Sequence, residues 1–378
     1  MVSMAGSSCP IFAPNLHASH LGYGELTRFG GGFQDADSLF ANILMDGNGP
    51  PDGQRRRRKA MSDLPKHVEM IEVGPRDGLQ IEPRILTTDE KVRMVDALAD
   101  SGIRQIEVGS FVNPKAVPQM ADTNELFDQL DKRPGIRYRA LWLNPKGLER
   151  ALANGHVDMD GKLTLTASET FVKRNTNRSI DQTFDQMPDW IESYRKAGIA
   201  ADSLGVMAAF GCNFEGYIPE EKVIGLIGRA MQIMEDNGCK LKNLSLADTM
   251  GWGTPGQMKS MVGKVRDKWP ELHLKLHLHD TRGCAVANAV AAMEMGVAEF
   301  DSSVGGLGGC PFAGHKGAAG NVCTEDLVFA CGEMGVETGI NVDALVEAAK
   351  LTEEMVGHVL PGKVMKGGTL TRWKEQRA

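Results

Sequence analysis

The chain has no run approaching the roughly 20 consecutive apolar residues that would span a bilayer, which argues against a membrane protein. It has little cysteine and none in C-x-x-C spacing: seven residues, an odd number, at 9, 212, 239, 284, 310, 323 and 331. In a chain long enough to build its own core, that scatter reads as free thiols in a reducing compartment, not a disulfide framework or a zinc ribbon. Positive charge is not in excess either. A formal net charge of -7 leaves no overall attraction for nucleic acid or anionic lipid, so neither is expected as a partner. The Gly-rich dinucleotide fingerprint is missing after the first strand signal, and the Walker spacing of a phosphate loop is missing throughout.

What is present begins with a contrast. Residues 1–62 are irregular in Gly, Pro, Ser and Asn, lack an apolar period, and carry the basic run Arg55 to Lys59, so a poorly ordered leader is expected there. Glu25, Asp35, Asp37 and Asp46 spoil an acid-poor transit peptide, and Met61 is the alternative start. A bacterial cytoplasm is the expected location, with a mitochondrial matrix the alternative.

From residue 68, short β-rich runs alternate with amphipathic stretches. The runs are "VEMIEVG", "IRQIEVGSF", "RYRALWL", "KLTLTAS", "SLGVMAAF", "NLSLAD", "HLKLHLHD" and "EFDSSVG". Helical patterning fits the segment from 87, which opens on a Thr-Thr-Asp-Glu start, and 180–197, 219–237, 256–268, 283–295 and 323–334. Eight strand signals, each followed by room for a helix, predict a (β/α)8 TIM barrel over residues 66–360. The stretch from about 340 predicts one more helix beside the barrel, and 361–378 a polar C-terminal tail.

A barrel collects its chemistry at the C-terminal ends of its strands. There the first strand supplies Arg76, Asp77 and Gln80, the second Glu107, the sixth Ser245 and Asp248, and the seventh His277, His279 and Asp280. Strand period places His277 and His279 on one face, from a chain with only nine histidines. Asp77 can complete a His, His, carboxylate set, whose N and O donors suit Mg, Mn, Co, Fe or Zn without selecting among them. Cys310, on the Gly-dense "GLGGCP" loop, is placed to act as an acid, a base or a redox sensor. Asp280, on the opposite side of the strand from His279, is expected to orient the site or cap the next helix.

The motifs "EVGPRDGLQ", "SFVNPKAVPQMAD", "SLADTMGWGTPG", "HLHDTRG", "DSSVGGLGGCPFA" and "GNVCTEDL", in that order, resemble the hydroxymethylglutaryl-CoA lyases, metal-dependent barrels with an Asp-Arg-Glu site. The resemblance implies cleavage of 3-hydroxy-3-methylglutaryl-CoA to acetyl-CoA and acetoacetate by a homodimer. It implies Mg or Mn on Asp77, His277, His279 and Asn321. Catalytic roles fall to Arg76 and Cys310, with Asp77 or His277 as proton acceptor and Gln80, Glu107, Ser245 and Asp248 supporting the site or substrate.

The chain departs from the family pattern in three places. "PFAGHKGAAG" after Cys310 is longer than the usual loop, Pro83 stands where a Lys is common, and "TASETFVKRN" differs from the usual context. These changes admit another 3-hydroxyacyl-CoA, such as citramalyl-CoA or an isoprenoid-extended glutaryl-CoA. Condensing synthases share the barrel and the histidine pair but typically show Glu where Leu79 stands. A non-catalytic metal-binding barrel leaves Arg76, Asp77 and Cys310 without a purpose.

Overall fold

The computed structural model describes residues 64–309 and 320–377. The expected leader, Cys310 and most of the loop after it lie outside the described residues.

Eight parallel strands form one curled sheet: β1 Glu69–Glu72, β2 Gln105–Ser110, β3 Arg137–Leu141, β4 Gly161–Thr166, β5 Ala201–Met207, β6 Asn243–Asp248, β7 His273–Leu278 and β8 Glu299–Ser302. The order β3-β2-β1-β8-β7-β6-β5-β4 puts consecutive strands at the two edges, as a barrel opened at one seam would. Asp158, just before β4, stitches that seam. Its N–H donates to the Tyr138 carbonyl at 2.9 Å, and its carboxylate accepts the Tyr138 N–H at 2.7 Å. All eight expected strands are present, in the predicted (β/α)8 arrangement.

The helices are α1 Thr88–Asp100, α2 Thr123–Gln129, α3 Pro145–Asn154, α4 Glu169–Thr176, α5 Ile180–Asp185, α6 Met187–Lys196, α7 Glu220–Asp236, α8 Pro255–Lys268, α9 Ala285–Met293, α10 Thr324–Glu333, α11 Val342–Val356, α12 Val364–Gly367 and α13 Thr371–Glu375. The start of α1 is a full capping box: Thr87 accepts the Glu90 N–H and Glu90 reaches back to the Thr87 N–H. The stretch expected as one helix over 180–197 breaks at Gln186, because Pro188 in the first turn of α6 has no N–H to continue the ladder.

Sequence patterning did not mark α2, α3 or α4. The ends of α3 nonetheless carried a legible signal, with Asn144 capping the Gly147 N–H, Pro145 in the first turn and Gly155 left-handed at the C-terminus. The predicted extra helix is α11, which packs on α1.

The expected polar tail begins inside packed structure. Val364 and Met365 are buried, and the N–H groups of Lys363 and Val364 donate to the buried Asp326 carboxylate. Among the described residues no helix is long and apolar enough to cross a membrane. The five described cysteines are all free, as expected.

The apolar core lies between the sheet and the helices, where Met94, Val95 and Leu98 of α1 and Ile227 and Met234 of α7 are fully covered. The barrel interior is different, being lined with charge: Glu107, Arg139, Lys162, Lys275 and Asp301 act on one another across it.

Candidate metal centre

The two histidines of β7 are oriented by their Nδ1 atoms. His277 Nδ1 lies 3.1 Å from Asp301 Oδ2, and His279 Nδ1 donates to the Thr249 carbonyl. A carbonyl can only accept, so the His279 proton sits on Nδ1 and Nε2 presents a lone pair. The two Nε2 atoms face each other at 3.4 Å, with the rings at 71°. Burial, with the His277 ring beside it, lowers the His279 pKa to about 4 and keeps the ring in its neutral, ligating form.

Asp77 is brought to this pair by the turn after β1. There the N–H groups of Arg76, Asp77 and Gly78 all converge on the Val73 carbonyl. Gly78 is needed in that turn, since a Cβ there would lie 2.9 Å from Leu307 Cβ. The donor atoms of Asp77, His277 and His279 lie within 4.8 Å of one another, and no other such group of three occurs among the described residues.

Asp77 Oδ1 accepts from Arg76 Nη1 at 2.5 Å and Gln80 Nε2 at 2.9 Å, while Oδ2 accepts from Asn321 Nδ2 at 2.8 Å. Burial opposes ionisation of Asp77, but the Arg76 guanidinium and the two histidines outweigh it and hold its pKa below the usual carboxylate value.

Asn321 reaches the site because its backbone pairs with His279 as an antiparallel bridge. Its Oδ1 is buried and accepts no hydrogen bond. An orphaned amide oxygen, two facing imidazole nitrogens and a carboxylate are a donor set that fits a divalent cation.

Arg76 donates through Nε to Glu107. Burial disfavours its charge, but Glu107 and Asp77 more than compensate and hold its pKa above the ordinary value. Gln80 and Glu107 therefore fix the Arg76–Asp77 pair, each through a direct hydrogen bond.

Asp248 contributes indirectly. Its carboxylate accepts the Trp252 and Gly253 N–H groups at 2.7 and 2.9 Å, shaping the turn that carries the Thr249 carbonyl. Burial raises its pKa to about 6 against those two amides. Asp280 accepts the Ala285 N–H at the start of α9 and pairs with Lys363, so it faces away from the histidines.

Ser245 is not brought to this group. Three residues short of the β6 end, it sits in register with Lys275 and lines a cavity at the opposite mouth of the barrel. Cys310 lies outside the described residues.

Two site residues escaped the sequence reading. Asp301 holds His277 and pairs with Lys275 at 2.9 Å. The signal was strand period again, because Glu299 and Asp301 share one face of β8. Glu72 is fully buried beneath the turn, accepting the Gly74 and Val304 N–H groups and the Thr324 hydroxyl at 2.7–2.9 Å. Burial raises its pKa to about 7.

The HMGL-like family model matches residues 67–352. A mitochondrial hydroxymethylglutaryl-CoA lyase of Rattus norvegicus is 41% identical over 305 residues, 81% of this chain and 90% of the relative. The crystal structure of hydroxymethylglutaryl-CoA lyase from Pseudomonas aeruginosa superposes with a TM-score of 0.74 at 39% identity, covering 81% of this chain and 98% of that one. An HMG-CoA lyase from Acinetobacter baumannii, solved with coenzyme A and 3-methylmalate, gives 0.72 at 38% identity over 81% of this chain and 96% of its own.

Proposed function

The chain belongs to the HMGL-like family, and on that premise we propose that it is a divalent-metal-dependent carbon–carbon lyase cleaving (S)-3-hydroxy-3-methylglutaryl-CoA to acetyl-CoA and acetoacetate. The observation that carries the reading is the convergence of two imidazole Nε2 atoms and Asp77 beside a buried guanidinium at one barrel mouth.

Asp77, His277, His279 and Asn321 would hold Mg or Mn, which when bound polarises the substrate's tertiary hydroxyl and a neighbouring oxygen and lowers the hydroxyl pKa. Asp77 or His277 takes the hydroxyl proton. The C2–C3 bond then breaks, its electron pair passing to the acetyl-CoA enolate while C3 becomes the ketone of acetoacetate. Arg76, held charged and immobile by Glu107 and Asp77, stabilises the enolate oxygen. Cys310 delivers a proton to the enolate carbon, a thiol with an unperturbed pKa of about 8.5 being protonated at neutral pH. Asp248 and Gln80 position this machinery.

The same proposal makes the protein a cytoplasmic homodimer acting on an acyl-CoA, with residues 66–360 as the catalytic unit. The test is incubation of the purified protein with Mg or Mn and a panel of 3-hydroxyacyl-CoA thioesters, following acetyl-CoA and ketoacid release. Cleavage of the methylglutaryl thioester is expected. Cleavage of citramalyl-CoA alone would move the substrate, and no cleavage of any member would sink the lyase reading.

A further inference from the structure

At the barrel mouth opposite the histidines, the N-terminal ends of the strands enclose a cavity of about 600 Å³. Most of the charge around it is paired. Arg139 bonds Asp160 and Gln105, Lys275 pairs with Asp301 at 2.9 Å, and His273 with Glu299 at 2.6 Å.

Among the cations inside the barrel, Lys162 is the exception. Its side chain points inward from β4 and lies across Gly205 of β5, where a Cβ would come 2.6 Å from Cε and 3.2 Å from Nζ. Among the described residues its ammonium makes no hydrogen bond and no ion pair; Lys275 and Arg139 act against its charge, and Asp301 and Glu107, each already bonded to another cation, act for it from beyond ion-pair distance. An ammonium held inside a barrel without a direct ionic partner is unfavourable, and an anion in the adjoining cavity offsets the cost.

The rest of the lining narrows the class. Asp160 and Glu299 stand close by, so a dianion meets repulsion that a monoanion largely escapes. Met159 and Ile199, both only partly buried, give an apolar wall, which suits a short hydrocarbon body and offers nothing to inorganic phosphate. Arg137 lines the same cavity as a second cation and is exposed, at the entrance. We propose that this cavity is a second binding site, separate from the metal centre, that takes a short-chain monocarboxylate with its carboxylate on Lys162 and its chain against the Met159 and Ile199 wall.

The experiment is a titration of the full-length, metal-loaded protein with butyrate and, separately, with inorganic phosphate, followed by ligand-observed NMR. Saturable butyrate binding is expected. It should survive chelation of the metal and weaken about tenfold or more in Lys162→Met, the scale of one charged hydrogen bond. Gly205→Ala, which displaces the ammonium without removing it, should weaken binding severalfold and keeps the test available if Lys162→Met does not fold. Absence of saturable butyrate binding to the wild type overturns the proposal, as does an unchanged affinity in a folded Lys162→Met. Loss of binding on chelation would assign the butyrate to the histidine site instead. Phosphate binding as tightly as butyrate would refute the monocarboxylate class.

Discussion

Replacing Asp301 with Asn separates two jobs that one carboxylate performs. Asp301 Oδ2 accepts the His277 Nδ1–H at 3.1 Å, which turns Nε2 toward Asp77 and His279. Lys275 and His277 hold Asp301 ionised against its burial, well below the usual carboxylate range. An Asn at 301 can turn its amide N–H toward His277 Nδ1 and favour the tautomer that carries the proton on Nε2, which blocks a ligand position. Changes of this kind typically cost 10–100-fold in metal affinity, about 1.4–2.7 kcal/mol.

The same substitution leaves Lys275 inside the barrel without its counter-charge, a loss of about 3–5 kcal/mol in stability for a buried pair broken on one side. Pairing Asp301→Asn with Lys275→Met removes the orphaned ammonium. The double variant should regain most of the stability in urea denaturation while remaining weak for metal in Mn titrations of metal-stripped protein. A folded Asp301→Asn that binds Mn within twofold of wild type would refute the argument that Asp301 sets the His277 tautomer.

His277→Ala should lose metal affinity outright, whereas Cys310→Ala should retain the metal and lose most turnover; Mn titration and acetyl-CoA release read the two separately. Gly308 has a φ of +95°, and a Cβ there would lie 2.7 Å from Asn321 Nδ2, so Gly308→Ala should displace Asn321 and cut kcat/KM by about tenfold or more. Glu72 keeps its proton up to about pH 7 in the fold but only to its ordinary value of 4.5 when unfolded. The folded state therefore binds more protons between those values, and stability falls as pH rises through that window, by about 3 kcal/mol from this group. Glu72→Gln can keep the amide and hydroxyl contacts without the charge and should flatten the dependence of the urea midpoint between pH 4.5 and 7; an unchanged slope would contradict the assignment.

Much of the barrel was legible because strand and helix periods are local. "HLKLHLHD" alternates over a single strand, and the capping box at Thr87 is complete within four residues. Helices α2 and α4, of seven and eight residues, were not, because so few turns carry too little apolar period to stand out. Asp280 was correctly separated from the histidines by strand alternation alone. Ser245 misled for the complementary reason: alternation tells which face a side chain takes but not its height in the barrel, and height put Ser245 at the other mouth.

The amino-acid sequence by itself determined the order of strands and helices, the shared face of His277 and His279, and the motifs by which the family is known. These depend on spacing within a few residues. Only the tertiary structure decided that Asp301, 24 positions from His277, would orient it, that Asn321 would present an orphaned oxygen beside Asp77, and that Lys162 would lie without a direct ionic partner. Each of these is a contact between strands or loops distant in sequence, set by the curl of the sheet and the register of its neighbours. No local period carries that information.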